Sequence, residues 1–201
     1  MKIYIVRHGQ IPNNALKRHT NPYEDLTDIG IKQAEKLRDE IKDIKFDVIY
    51  TSPFLRAKHT AKILNINNIE TITDDRLSER SCGDLSGQPL EKNEERIDYW
   101  YYYSTKEHSN AENIKPFFER VYNFLDELKI KHYEKVLIVA HSGVSKAFSG
   151  YFEGINDGKF LNRGLKNCEI KEYNIINIGE IYEDSSNFRH TRKFRSFKFC
   201  N

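Results

Sequence analysis

Cysteine is scarce in this chain of 201 residues: there are three, Cys82, Cys168 and Cys200. An odd number without close pairing excludes a disulfide framework, and the spacing matches no zinc-ligand pattern. Proline is also sparse, at five, and no Pro/Gly/Ser-rich linker or internal repeat divides the chain. Residues 1–201 are therefore expected to form a single domain. No apolar run approaches the ~20 residues of a membrane span. The apolar start at Ile3–Val6 is too short for the core of a signal peptide. A cytoplasmic protein with reduced thiols is the expectation. An excess of charge of one sign is missing too, since 32 Lys+Arg against 30 Asp+Glu leaves +2. That near-balance excludes a generally polybasic nucleic-acid binder.

What the chain does contain is 12 Tyr and 12 Phe, enough burial to argue against wholesale disorder. Lys2–Val6 and Phe46–Tyr50 are short β-rich runs, and Lys135–Ala140 is nearly continuously apolar, as a strand covered on both faces would be. Cys168–Ile176 alternates and is a fourth candidate; Ile69–Ile72 is a weaker one. Helical periodicity lies between them. Thr27 can cap a helix carrying Ile31, Ala34, Leu37 and Ile41, Pro53 can sit in the first turn of a helix through Leu64, and Ile114–Ile130 puts Phe117, Phe118, Val121, Leu125 and Leu128 on one face. Alternating strands and helices predict an α/β fold: a three-layer α/β/α sandwich with a mainly parallel, Rossmann-like sheet. Residues 84–113 break the alternation and read as an inserted lid segment, partly helical. Its aromatic run Tyr99–Tyr103 is expected to pack against the domain rather than touch a substrate.

In parallel α/β sheets, ligands bind beyond the carboxyl ends of the strands. Three such ends carry Arg7-His8-Gly9-Gln10, Thr51-Ser52-Pro53-Phe54-Leu55-Arg56 and His141-Ser142-Gly143. If these strands are neighbours, two histidines and two arginines converge. Arginine forks pair with two phosphate oxygens at once, and helix N-termini add backbone donors. Nearby cations would keep His8 neutral and nucleophilic. Glu79, in Leu77-Ser78-Glu79-Arg80, can donate the proton that a leaving oxygen needs. Asp84 is the competing donor. Each residue taken alone has an ordinary structural reading, and only the joint placement points to phosphoryl transfer.

The same segments resemble the histidine phosphatase superfamily, in its phosphoglycerate-mutase-like branch. Arg7-His8-Gly9-Gln10 with Asn14, Leu26–Ala34, Thr51–Ala61, Leu77–Arg80 with Gly83 and Gly87, and Val139–Val144 follow the family's blocks in order over most of the chain. The resemblance implies that His8 is the residue phosphorylated and Glu79 the general acid. It implies that Arg7, Arg56 and His141 act on the phosphoryl group, with Asn14 and Ser142 in the same phosphate pocket, and that no metal or other cofactor takes part. The chain departs from the family pattern at Ile11, where Thr or Ser is usual, and at Asn13, where an aromatic residue is common. It departs again at Ala111-Glu112-Asn113 in place of Gly-Glu-Ser and at Cys82, near the acid.

The family holds both phosphatases and mutases. Residues 84–113 contain three bases (Lys92, Arg96, Lys106) and seven acids (Asp84, Glu91, Glu94, Glu95, Asp98, Glu107, Glu112). A lid of net negative charge should disfavour the bisphosphate that a mutase must hold. The expectation is a metal-independent phosphatase acting on a small-molecule phosphate ester, with a phosphopeptide also admissible. A phosphoglycerate mutase and a non-catalytic phospho-ligand binding module are the alternatives. The segment Phe188–Phe199 interleaves five basic residues with phenylalanines. It is expected to pack on the domain rather than to bind nucleic acid.

Overall fold

The computed structural model of the protein describes residues 1–90 and 93–175. The chain runs through β1 (Lys2–Arg7), α1 (Pro12–Ala15), α2 (Asp28–Ile41), β2 (Val48–Thr51), α3 (Leu55–Leu64), β3 (Thr71–Thr73), α4 (Asn93–Tyr99), α5 (Ile114–Leu128), β4 (Lys135–Ala140), α6 (Ser142–Glu153) and β5 (Ile170–Asn174). The sheet order is β3-β2-β4-β1-β5. All pairings are parallel except that of β5 against β1. The Phe188–Phe199 segment and Cys200 lie outside the described residues.

Successive side chains of a strand point to opposite faces, and here both faces are covered. Ile3, Ile5, Val48, Tyr50, Val136 and Ile138 pack with Phe117, Phe118, Val121, Phe124, Leu125 and Leu128 of α5 and with Val144, Ala147 and Phe148 of α6. Tyr4, Val6, Ile49, Leu137 and Val139 face the other way, onto Leu37 and Ile41 of α2 and Ala57, Ala61 and Leu64 of α3. This is the three-layer α/β/α sandwich that the alternation of elements predicts.

Helix α2 starts as the sequence suggests, with the Thr27 hydroxyl accepting from Gly30 N at 3.1 Å. Helix α3 does not. Phe54 is its N-cap, and Pro53 precedes the helix instead of occupying its first turn. Ser52 is engaged at the sheet with His141, and its Oγ accepts from Phe54 N, so the chain bends through two residues before the helix begins. At the far edge, β5 starts at Ile170 rather than Cys168, because Cys168 has φ +53 in a turn that bonds back to Arg7 O. Phe46 stays outside β2 and packs edge-on against Tyr4, and Ile69 is held by the Asn65 side chain before β3 begins.

Phe118 is fully buried, with Phe160 at 4.7 Å and Tyr102 at 5.4 Å between ring centroids. Phe118→Ala should destabilise the fold by about 3–5 kcal/mol, as large-to-small aromatic truncations do. Tyr23, 88% exposed, should tolerate alanine within about 0.5 kcal/mol. Urea denaturation of both variants checks the pair.

Candidate active site

Strand β4 lies between β1 and β2, and the registers Arg7↔Ala140 and Thr51↔Val139 bring the three strand ends to one level. His8, Ser52 and His141 are the next residues on each chain, so the convergence is set by sheet order. His8 N donates to Ala140 O at 3.0 Å and Ser52 N to Val139 O at 3.1 Å, extending the ladder one residue into the site. The loop after β1 then crosses the start of α2 so closely that a Cβ on Gly9 would strike the Gly30 carbonyl, and one on Gly30 the Gln10 carbonyl. Only glycine fits at either position. Ile11, which follows this crossing, is fully buried and contributes apolar packing where the family pattern has a hydroxyl.

His8 Nδ1 lies 2.7 Å from Gly9 O. A carbonyl only accepts, so Nδ1 carries the proton and Nε2 keeps its lone pair. Burial, then the charges of Arg56 and Arg7, hold the His8 pKa well below the usual histidine range. His141 is fully buried and is held low by burial and by Arg56 in the same way. Its ring stands edge-on to His8, with 5.2 Å between centroids. Its Nε2 is 2.7 Å from Ser52 Oγ. If that hydroxyl donates, His141 Nδ1 bears a proton, and among the described residues that buried atom has no partner.

Arg56 is completely buried in the first turn of α3. Its Nη1 donates to Asn21 O at 2.6 Å, while Nε and Nη2 have no partner among the described residues. Burial pushes its pKa down to about 10, which leaves it a cation at neutral pH. Arg7 Nη1 donates to Leu165 O at 3.0 Å, and its Nε is likewise buried and unpartnered among the described residues. Buried donors of this kind are costly without an acceptor, and a phosphoryl group supplies three. Thr60 links the parts: its hydroxyl donates to Arg56 O at 2.8 Å and accepts from Gly9 N at 3.1 Å.

Glu79 lines the same site. Its carboxylate accepts from Arg80 N at 3.0 Å and from Gly143 N, at the start of α6, at 3.2 Å. A Cβ at Gly143 would collide with the Glu79 carboxylate. Asp84 is exposed and accepts from Asn110 Nδ2 instead. Asn14 and Ser142 stand with Arg7 and Glu79 in the wall of a cavity of about 360 Å³. The Asn14 Oδ1 accepts from Asn167, whose amide also donates to His8 O. Arg56 lines a second cavity of about 200 Å³ that shares Glu79, Arg80 and Cys82 with the first. His8 and His141 are buried and belong to the wall of neither.

One sequence expectation holds here and another changes. Trp100 and Tyr102 do pack on the core, against Phe117 and Phe118, but Tyr99 and Trp100 also line the larger cavity. The run thus packs against the domain as expected, and two of its rings also border the cavity. Among the described residues of the lid, the acids are not what faces the site; Glu91 and Lys92 lie outside the described residues. Glu94, Glu95 and Glu107 are exposed, Asp98 is turned to His108 and Ser104, and Glu112 to Arg120. Arg96 lines the cavity, with Arg18, Arg80, Lys146 and Lys166. Lys146 donates to the carbonyls of Phe160 and Leu161, and burial lowers its pKa to about 7. Its signal in the sequence was a lone lysine inside an apolar helix; Arg18, Arg96 and Lys166 carried no signal of their own.

In the folded protein both histidines stay neutral below about pH 6.5, where an unfolded chain's histidines take up protons. The unfolded state then binds more protons, so stability falls as pH drops below 6.5, by up to about 1.4 kcal/mol per pH unit for each histidine. Urea titrations between pH 7.5 and 5.5 in phosphate-free buffer should show this slope, and His141→Asn should reduce it.

The family model of the histidine phosphatase superfamily (branch 1) matches residues 3–183. Phosphoserine phosphatase 1 of Hydrogenobacter thermophilus is 31% identical over 188 residues, covering 90% of this chain and 88% of that relative. A 2,3-bisphosphoglycerate-dependent phosphoglycerate mutase of Rhizobium etli is 35% identical over 156 residues, 69% of this chain and 73% of the relative. Among solved structures, the alpha-ribazole phosphatase of Shigella flexneri superposes with a TM-score of 0.75 at 24% identity, covering 88% of this chain and 91% of that one. With the family's motifs gathered at the ends of three adjacent strands and the model matched along nearly the whole chain, the protein belongs to branch 1 of the histidine phosphatase superfamily.

Proposed function

We propose that the protein is a metal-independent phosphatase that hydrolyses a phosphate monoester through a phosphohistidine on His8. The observation that carries this is the neutral His8, its Nε2 lone pair left free by the Nδ1 bond to Gly9 O, beside buried cationic arginines whose remaining donors have no partner among the described residues. In the first step Nε2 attacks phosphorus while the bond to the ester oxygen breaks, and that oxygen takes the proton of the Glu79 carboxyl. In the second step water attacks the phosphohistidine, gives a proton to Glu79 and releases inorganic phosphate, returning His8 to its neutral form. Arg7, Arg56 and His141 Nδ1 donate to the equatorial oxygens, where charge develops. Asn14 and Ser142 complete the phosphate pocket. Fixed guanidinium charge does the electrostatic work here, so no metal is needed.

The cations around the larger cavity support a substrate with a second anionic group beyond the phosphate, carboxylate or phosphate, reaching toward Arg96 and Lys166. Phosphoserine, named in one relative, has that chemistry. The same cations favour one second reading: a mutase would need them for a bisphosphate, and a mutase is among the relatives.

Wild-type enzyme should hydrolyse p-nitrophenyl phosphate in the presence of EDTA, and acid-labile, base-stable phosphate should be trapped on the protein. His8→Ala should abolish both, and Arg56→Ala should cost about 10²–10³ in rate. Substantial turnover by His8→Ala, or activity that requires added metal, refutes the mechanism. Incubation with 3-phosphoglycerate and 2,3-bisphosphoglycerate separates the two activities: phosphate release marks a phosphatase, and isomerisation without release marks a mutase.

A further inference from the structure

The segment that carries Glu79 has little regular structure of its own, only a single turn of 3₁₀ helix at Asp75–Leu77. Its carbonyls must find donors elsewhere. Three of them converge on one side chain of α5. Arg120 Nη1 donates to Arg76 O at 2.7 Å and to Ser78 O at 2.8 Å, and Nη2 donates to Glu79 O at 3.2 Å. The rest of the guanidinium is taken by Glu112, with Nε to Oε1 at 2.8 Å and Nη2 to Oε2 at 2.9 Å. All five N–H groups of the fork are thereby in use. Glu112 also grips the far end of the segment: its Oε2 accepts from Ser81 N at 3.2 Å, its backbone N donates to Ser81 O at 2.9 Å, and its carbonyl accepts from Arg80 Nε at 2.7 Å.

We propose that Arg120, oriented by Glu112, is the positioning residue for Glu79. It fixes the backbone of the acid loop against α5, while Gly143 N of α6 fixes the carboxylate. Two helices packed on the same sheet face thus set the two ends of the Glu79 side chain. The proposal rests on the acid role given to Glu79 above. Arg120 does not touch the reacting atoms, and its charge is answered by Glu112, so it acts through geometry. Displacing a reacting group by about 1 Å can cost about 10²-fold. Lysine would keep the charge but offers three donors from one point instead of a five-donor fork.

The test uses leaving groups. Glycerol 2-phosphate has an alkoxide leaving group that needs the proton, whereas p-nitrophenolate departs without one. The full-length enzyme and its Glu79→Gln, Arg120→Lys and Glu112→Gln variants are compared by kcat/KM on both esters, which reports the first phosphoryl transfer. Glu79→Gln should depress the alkyl ester about 10²-fold more than the nitrophenyl ester. Arg120→Lys should show the same selectivity at about tenfold or more, and Glu112→Gln a selectivity in the same direction. A purely structural role would lower both esters equally, so equal losses, or none, in Arg120→Lys while Glu79→Gln stays selective overturn the positioning role and leave the acid in place. Absence of selectivity in Glu79→Gln overturns the acid assignment, and the positioning role with it. Should Arg120→Lys fail to fold by circular dichroism, Glu112→Gln, which keeps the arginine, decides by the same ratio.

Discussion

A fully buried guanidinium is the constraint on which this site depends. Charge taken out of water is expensive unless something answers it, and within the protein Arg56 is answered only in part, by Asn21 O and by the more distant charges of Glu79 and Glu24. Burial first, and then this same cation, hold the pKa values of His8 and His141 down. Burial and this charge together leave donors open to an anion and keep the His8 Nε2 lone pair unprotonated. The surrounding bonds serve this arrangement. Thr60 binds the Arg56 carbonyl to the Gly9 amide, the Gly9 carbonyl sets the His8 tautomer, and Ser52 orients His141.

The floor and the walls of the site are built differently. The floor sits on strand ends packed between two apolar layers, where a shift of one residue in register would turn each strand's core side chains to the opposite face. The walls come from the loop around Glu79, the lid and the 161–166 segment, which hold their places through polar contacts as well as aromatic packing such as Trp100 on Phe117. Arg80 makes contacts of both kinds, stacking 3.8 Å over Tyr99 and donating to Glu112 O. Such walls can change shape and charge without disturbing the floor, in keeping with relatives that include both a phosphatase and a mutase.

The net charge of the lid segment does not set the charge that faces the cavity, because sequence distance says nothing about side-chain direction. Its described acids lie on the outer surface or are paired with neighbours, as Asp98 is with His108, and Arg96 lines the cavity. The aromatic run packs against the domain as its sequence suggests, and its start also borders the cavity. Tyr99 and Trp100 each cover core on one side and cavity on the other, which an amphipathic ring permits.

The sequence by itself determined the layered α/β fold, because strand and helix periods are local properties of the chain: Lys135–Ala140 reads as a strand covered on both faces, and the α5 stripe from Phe117 to Leu128 as one helical face. It also marked His8, Arg56, Glu79 and His141 as the candidate site residues, since they fall within short contiguous blocks. Sheet order belonged to the tertiary structure, which put β4 between β1 and β2 and so made neighbours of residues about 130 positions apart. So did the tautomer of His8, the depressed histidine pKa values, the Arg120–Glu112 grip on the acid loop and the inward turn of Arg96. Each of these depends on distances between segments and on exclusion of water, and neither is encoded at any single position.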